Sequence, residues 1–228
     1  VTKVDNDAPV IQEITATPST VNLYSSSRNT PVTVTFIARI TDVGRGVDTN
    51  TLSLSGATYQ GKNGNDYTFT KAYSFDNFNF GTTDDSLTLN VRDAANNPAV
   101  NDTVDVRVNK YDNTAPTITE FTSSVTSVEL KTLAPDNIKT VDFTVRASDA
   151  DRGIASVSVT GATQLNTSNP AAGIYYFRKT YNYDNYVLGQ SAIDTVNVIV
   201  SDGINTTQSQ AGGPLFPINI SITKTDNK

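Results

Sequence analysis

The chain has 228 residues, with 17 Lys and Arg against 23 Asp and Glu, a net charge of -6 and a pI near 4.6, so neither nucleic acid nor an anionic membrane surface is an expected partner. It contains no Cys and no His, which excludes disulfides, Cys/His zinc sites and triads built on an imidazole base. The longest apolar runs are a few residues, such as Val198-Ile199-Val200, so direct membrane insertion and a signal peptide are not expected, and with no Met the chain is expected to be a segment from the interior of a longer protein.

One short phrase punctuates the chain. Val4-Asp5-Asn6-Asp7-Ala8-Pro9 returns as Tyr111-Asp112-Asn113-Thr114-Ala115-Pro116 and begins again as Thr225-Asp226-Asn227. The period is 107 residues from Asp5 to Asp112 and 114 from Asp112 to Asp226. Proline fixes φ and drives the preceding residue toward extended backbone, so Ala-Pro reads as a stiff lead into a strand, while Asp and Asn offer short oxygen ligands beside it. A single copy also reads as a plain Asx-turn ahead of an edge strand.

Between the phrases the hydrophobic period is two. Val32, Val34, Phe36, Ala38 and Ile40 alternate with Thr33, Thr35 and Arg39, and Val141, Phe143, Val145 and Ala147 repeat the pattern. Leu87, Leu89 and Val91 predict another strand, as do Val196, Val198 and Val200; Val104, Val106 and Val108 predict the last of the first copy, paralleled by Ile218, Ile220 and Ile222. Ser55-Gly56-Ala57-Thr58 matches Thr160-Gly161-Ala162-Thr163, and the segment from Tyr67 to Phe78 matches Tyr175 to Tyr186 in length and aromatic spacing. About seven short strands in roughly 105 residues, punctuated by Gly, Asn, Asp and Pro, predict an all-β protein of two tandem antiparallel Ig-like β-sandwiches joined by a short stiff linker. The expected repeats are 1–109 and 110–224, with 225–228 starting the next linker.

Tyr67, Phe69, Tyr73 and Phe75 share one parity, as do Tyr175, Phe177, Tyr181 and Tyr183, which predicts core packing between sheets; a carbohydrate-stacking surface is the other use of such a row. Lys71 and Lys179 interrupt both rows identically, and are expected near a sheet end where the amine reaches water. A Lys-Asn isopeptide crosslink is an alternative stabiliser for a chain without Cys, and requires a buried carboxylate that the sequence does not locate.

The acids carry the sharper inference. Asp149 continues the inward row Val141 to Ala147, and Asp202 continues Val196 to Val200, so each caps a buried row where its strand ends and must be solvated, paired or metal-bound. Alternating strand directions bring the loop holding Asp149 and Asp151 and the loop holding Asp202 to the end of the domain where the linker supplies Asp112 and Asn113. Ca²⁺, which takes six to eight oxygens, is the expected cofactor. The first copy keeps Asp42 and Asp93 in place and has Asp5 and Asp7 in its linker, but Gly44 stands where the second copy has Asp151, so a weaker site is expected there. Asp76, Asp84 and Asp85, expected in a loop at the opposite end of the first domain, are candidates to complete the coordination.

Asp112-Asn113-Thr114-Ala115-Pro116 resembles the Asp-Asn-Ala-Pro linker of cadherins, and Ser148-Asp149-Ala150-Asp151-Arg152-Gly153 resembles the Asp-x-Asp-x-Gly loop that shares Ca²⁺ with it. Val91-Arg92-Asp93-Ala94-Ala95-Asn96-Asn97 is similar to the Asp-Ala-Ala-Gly-Asn signature of bacterial Ig-like repeats. The blend resembles the extender repeats of large bacterial surface adhesins of the repeats-in-toxin type, although the cadherin glutamate motif at the far end of each domain is not recognisable. The resemblance implies cadherin-like sandwiches, an extracellular cell-surface location, neighbouring repeats of the same chain as partners, and a non-catalytic stalk stiffened by interdomain Ca²⁺. A glycan- or protein-binding adhesion module, with loops such as Gln60 to Asp66 gripping the target, and a surface-layer unit are the alternative readings. An enzyme is not expected, because adjacent acids such as Asp84-Asp85 diverge on a strand or loop, whereas glycoside hydrolysis needs two carboxyls facing one pocket. Four Asn-x-Ser/Thr sequons, at Asn101, Asn166, Asn205 and Asn219, are expected by chance in so Thr- and Asn-rich a chain.

Overall fold

A computed structural model describes residues 4–210 and 216–226, in two compact units, Val1–Asp112 and Asn113–Lys228. Asn227 and Lys228, the end of the third phrase, lie outside the described residues. Among the described residues no helix is long and apolar enough to cross a membrane.

Among its described residues the first unit has eight strands: β1 (Val10–Thr17), β2 (Thr20–Tyr24), β3 (Val32–Thr41), β4 (Val47–Leu54), β5 (Thr58–Asn63), β6 (Asp66–Tyr73), β7 (Gly81–Asp93) and β8 (Asp102–Tyr111). One sheet has the order β1-β3-β6-β5 and the other β2-β8-β7-β4. The alternating rows of both meet in one core, with Val34, Phe36, Phe69 and Tyr73 from the first sheet and Leu87, Leu89, Val106 and Val108 from the second all buried. This is a β-sandwich. It departs from a purely antiparallel design at one place. After Pro18, which cannot donate to a ladder, the chain leaves β1 and its partner β3 and pairs through β2 in parallel with β8.

The second unit repeats the plan with more interruptions: β9 (Thr117–Ser123), β10 (Ser127–Lys131), β11 (Ile138–Ser148), β12 (Ser156–Val159), β13 (Thr163–Gln164), β14 (Ile174–Asn182), β15 (Ser191–Val196), β16 (Val198–Ser201), β17 (Thr206–Gln208) and β18 (Ile218–Thr225). Its sheets are β13-β14-β11-β9, β10-β18-β15 and β12-β16-β17, again with one parallel pair, β10 with β18. The strand expected over Val196 to Val200 is divided at Asn197, so β15 pairs with β18 while β16 pairs with β12 and β17. Its inward parity survives the division, because Val196, Val198 and Val200 are all fully buried.

The aromatic rows pack inside: Tyr67, Phe69, Tyr73 and Phe75, and Tyr175, Phe177 and Tyr181, are all buried. The two lysines that interrupt these rows do not simply reach for water. Lys71 Nζ lies 2.7 Å from Asp85, which also accepts the Tyr73 hydroxyl at 2.8 Å, and Lys179 Nζ lies 2.7 Å from Asp194, which accepts Tyr181 at 2.6 Å. Each lysine meets an aspartate rather than an asparagine, as an ion pair. Each also lies over a repeated turn glycine: a Cβ on Gly56 would stand 3.1 Å from Lys71 Nζ, and one on Gly161 would stand 2.9 Å from Lys179 Nζ. Both glycines have positive φ, 70° and 68°, which other residues adopt at a cost. The matched sequence landmarks around Gly56 and Lys71 are therefore two parts of one device.

Burial, the hydrogen bond to Asp85 and that carboxylate's charge together raise the Tyr73 phenol well above its ordinary value near 10, and burial with Asp194 does the same for Tyr181. The folded state thus holds these protons more tightly than the unfolded chain, so their contribution is complete below about pH 10 and declines as pH rises above it. Tyr73→Phe with Tyr181→Phe is expected to lower stability at neutral pH by about 1.5–3 kcal/mol per unit, the worth of a hydrogen bond to a charged group. Denaturant titrations from pH 8 to 12 should show the gap to the parent narrowing above pH 10; a gap independent of pH would contradict this account. Gly161→Ala should cost about 1–2 kcal/mol in left-handed strain alone, read from the same titrations.

Candidate metal centre

The second unit places two acids just beyond inward rows. Strand β11 ends at Ser148, and Asp149 Oδ1 then accepts the backbone N–H groups of Asp151, Arg152 and Gly153 at 2.9, 2.8 and 3.0 Å. Strand β16 ends at Ser201, and Asp202 Oδ1 accepts the N–H groups of Ile204 and Asn205 at 2.6 and 2.5 Å while Oδ2 accepts Asn205 Nδ2 at 2.9 Å. Each acid thus folds its own loop as an Asx-turn. Asp112, the boundary residue that closes the first unit, is buried and its Oδ1 accepts the Ser25 hydroxyl at 3.0 Å.

Asp112, Asp149 and Asp202 each offer a carboxylate oxygen, and these oxygens lie within 4.8 Å of one another; Asp112 and Asp202 are buried and Asp149 is half-buried. Among the described residues this is the only group of three or more such ligands. Burial acts to raise the Asp202 carboxyl, but the hydrogen bonds from Asn205 and from the Asn205 and Ile204 N–H groups, with the charge of Arg152, outweigh it and hold it below the usual carboxylate range. Two carboxylates at this spacing repel by about 3–4 kcal/mol at an effective dielectric of 20. The backbone N–H groups that donate to Asp149 and Asp202 do not cancel that charge.

The donor set fits a hard cation. All the groups are oxygens, and oxygens bound to one ion at 2.3–2.6 Å lie at most about 5.2 Å apart, which the observed spacing satisfies for Ca²⁺. Of the other residues expected here, Asp151 is half-buried and its Oδ2 accepts the Thr114 hydroxyl at 3.0 Å, and Asn113 is exposed.

The first unit arranges its acids differently. Asp93 is 1% exposed; its Oδ1 accepts the N–H groups of Ala95 and Asn97 at 2.9 and 2.7 Å and its Oδ2 accepts Asn97 Nδ2 at 2.7 Å. Burial would raise this carboxyl, yet those bonds and the charge of Arg45 hold it below its ordinary value. Asp42 Oδ1 accepts Gly44 and Gly46 N–H at 2.9 and 2.8 Å, while its Oδ2 is buried without a hydrogen-bond partner. Asp5 turns onto the 44–45 turn, accepting Arg45 N–H at 2.6 Å, and Asp7 is exposed. Asp5, Asp42 and Asp93 do not form a group like that of the second unit. Gly44 does more than omit a carboxylate: a Cβ there would fall 2.0 Å from Asp5 Oδ2, so the glycine makes the space that Asp5 fills.

Asp76, Asp84 and Asp85 are engaged inside the first unit. Asp76 pairs with Arg28 at 2.8 Å, Asp84 with Arg107 at 3.2 Å and Asp85 with Lys71. Asp84 and Asp85 lie on β7 rather than in a loop, because that strand already begins at Gly81.

Sequence reasoning missed the neutral partners. Asn205 and Asn97 hold the acids, Thr114 holds Asp151, and Ser25 holds Asp112 just as the Thr132 hydroxyl, 107 residues on, holds Asp226 at 2.9 Å. The repeat period was the signal that could have found them.

No protein-family model matches the chain, and no curated protein matches it. Among solved structures it is similar to extracellular cadherin domains 1–5 of protocadherin gamma B2, at 16% identity and a TM-score of 0.40 over 99% of this chain and 41% of that one. It is also similar to the fibronectin(III)-like modules of Clostridium thermocellum CbhA, at 12% identity and a TM-score of 0.30 over 94% and 95%, and to a titin A168–A169 fragment, at 8% identity and a TM-score of 0.29 over 95% and 98%. The chain spans less than half the length of the protocadherin fragment. Likeness at this level does not discriminate function.

Gly44→Asp, which copies the second unit's Asp151 into the first, is expected to fail as a repair. It should destabilise the first unit by about 1–3 kcal/mol through overpacking against Asp5 and add a like charge there. Thermal unfolding with calorimetric Ca²⁺ titration checks this, and a gained Ca²⁺ site at unchanged stability would show that Asp5 gives way freely.

Proposed function

We propose that this chain is a non-catalytic structural segment of an extracellular, cell-surface adhesin, an extender made of the tandem repeats 1–109 and 110–224 with 225–228 opening the next linker, and stiffened by Ca²⁺ at the joint between repeats. The observation that carries the reading is the convergence of Asp112, Asp149 and Asp202, two of them buried, within 4.8 Å. The residues that would hold the ion are these three with Asp151 and Asn113, and in the first repeat Asp5, Asp7, Asp42 and Asp93 would form a weaker counterpart. Bound there, Ca²⁺ would neutralise the mutual repulsion of the carboxylates. The linker phrase, the acidic composition and the resemblance to repeats-in-toxin type bacterial adhesins support the same reading.

The residues explain the work asked of the cation. Asp149 and Asp202 are fixed to their loops by backbone hydrogen bonds, so their positions do not depend on the ion. Asp112 comes from the linker. Without a cation, repulsion pushes the linker acid away from the two loop acids; with one, all three are held by opposite charge. Neighbouring repeats of the same chain are then the immediate partners.

When free Ca²⁺ is near 100 times Kd, the stability gained is about 2.7 kcal/mol, expected to raise Tm by on the order of 10 °C for a domain of this size. Small-angle scattering should show rigid particles in millimolar Ca²⁺ and a broader conformational distribution in chelator. Identical scattering curves and an identical Tm in the two conditions would overturn the reading.

A further inference from the structure

We infer that Asn205 is the positioning residue of this centre: it seats the linker on the second unit before any cation binds, and Asn97 does the same in the first unit. The part of this inference that concerns Ca²⁺ affinity rests on the reading above; the seating of the linker does not.

An asparagine amide has two N–H donors. Asn205 Nδ2 donates to Asp202 Oδ2 at 2.9 Å and to the backbone carbonyl of Thr114 at 3.1 Å. The residue is itself fixed, because its N–H donates to Asp202 Oδ1 at 2.5 Å and its carbonyl accepts Asp202 N–H at 3.2 Å and the Ser201 hydroxyl at 3.0 Å. One neutral side chain therefore connects a candidate metal ligand to the linker that delivers another. Two hydroxyls add to the seat: Thr207 donates to the Pro116 carbonyl at 2.5 Å, and Thr114 donates to Asp151 Oδ2.

The first unit reaches the same arrangement by a different loop. Asn97 Nδ2 donates to Asp93 Oδ2 at 2.7 Å and to the linker carbonyls of Asp5 and Asp7 at 3.2 and 3.3 Å. Asn97 follows its acid by four residues, after Ala94-Ala95-Asn96, while Asn205 follows by three, after Gly203-Ile204. Neither the loop length nor its composition is kept between the units. What is kept is an amide bridging the acid to the carbonyl two residues after the first linker acid, Asp7 or Thr114. An aspartate there would lose both donors and add a charge beside Asp202, so the bridge requires asparagine chemistry.

The test uses the full chain with Asn205→Ala and with Asn205→Asp, the second keeping the side-chain volume in case the first does not fold. Calorimetric titration of Asn205→Ala with Ca²⁺ alone should show affinity reduced by about tenfold or more, as for loss of an outer-shell partner. In chelator, backbone NMR order parameters at Thr114 and Ala115 should fall from about 0.85 to below about 0.6, while the Asp149 loop keeps its values. Asn97→Ala should loosen Asp5 to Asp7 and leave Thr114 and Ala115 unchanged, which a general loss of stability would not do. Rigid Thr114 and Ala115 in both Asn205 variants would overturn the seating, and an unchanged Ca²⁺ Kd would overturn the positioning role. A parent chain that takes up no Ca²⁺ removes the proposed centre, and the order parameters alone then decide the seating.

Discussion

Each sandwich is built along an inward-facing row that has a carboxylate at both ends. In the first unit the row is Asp85, Leu87, Leu89, Val91 and Asp93; in the second it is Asp194, Val196, Val198, Val200 and Asp202, and it keeps its parity across the break at Asn197. A carboxylate carried to the inner face of a sheet has to be neutralised or well hydrogen-bonded there, and the two ends meet this demand in opposite ways. At one end the chain brings its own cation, Lys71 or Lys179, with a tyrosine hydroxyl as second donor. At the other end Asp93 and Asp202 receive backbone N–H groups and an asparagine amide, and among the described residues no ion pair reaches either of them. The first kind of acid is neutralised within the fold, and the second is held by neutral donors and keeps its charge.

The same logic accounts for a chain without Cys. A second repeated lysine closes each sandwich near the three-residue turns Phe75–Asn77 and Tyr183–Asn185: Lys110 Nζ donates to the Phe78 carbonyl at 2.7 Å and lies 4.0 Å from the Phe75 ring centroid, and Lys224 donates to the Tyr186 carbonyl at 2.7 Å and lies 3.7 Å from the Tyr183 ring centroid. Amines held against carbonyls and ring faces gain from both their donors and the ring quadrupole. These lysines tie the last strand of each unit to the turn beyond the aromatic strand.

Much of this was legible because strand parity is a strict code. The inward rows, the burial of the aromatic strands, and the placing of Asp149 and Asp202 at the ends of rows all follow from counting by two. What stayed hidden was pairing. The sequence shows Lys71 interrupting an apolar row, but not that Asp85, on another strand, faces it across the sandwich. It shows Gly56 and Gly161 repeated, but not that each lies beneath a lysine. Parity also fails to say when a chain changes sheets, so the passage from β1 to β2 and the resulting parallel pair with β8 were not foreseen. Asn205 was visible only as part of a sequon, and its role appears once the Thr114 carbonyl is seen to lie within reach of its amide.

The two units differ in how the turn after the inward row receives the linker acid. In the second unit the 149–153 turn carries its own acid, Asp151, which accepts the Thr114 hydroxyl, and the linker's Asp112 is left to join Asp149 and Asp202. In the first unit Gly44 opens the turn, Asp5 collapses onto it to accept Arg45 N–H, and the linker acid is spent on the loop. Asp42 then keeps a buried oxygen with no hydrogen-bond partner, and the acids of this unit do not gather as Asp112, Asp149 and Asp202 do. Hydrogen bonds can satisfy the lone pairs of such acids, but they cannot remove net charge, so the arrangement that gathers three carboxylates carries more mutual repulsion than one that scatters them. The neutral asparagine is common to both units because the seat of the linker is a matter of geometry, and the charge is asymmetric because it is a matter of which acid the neighbouring turn has room to receive.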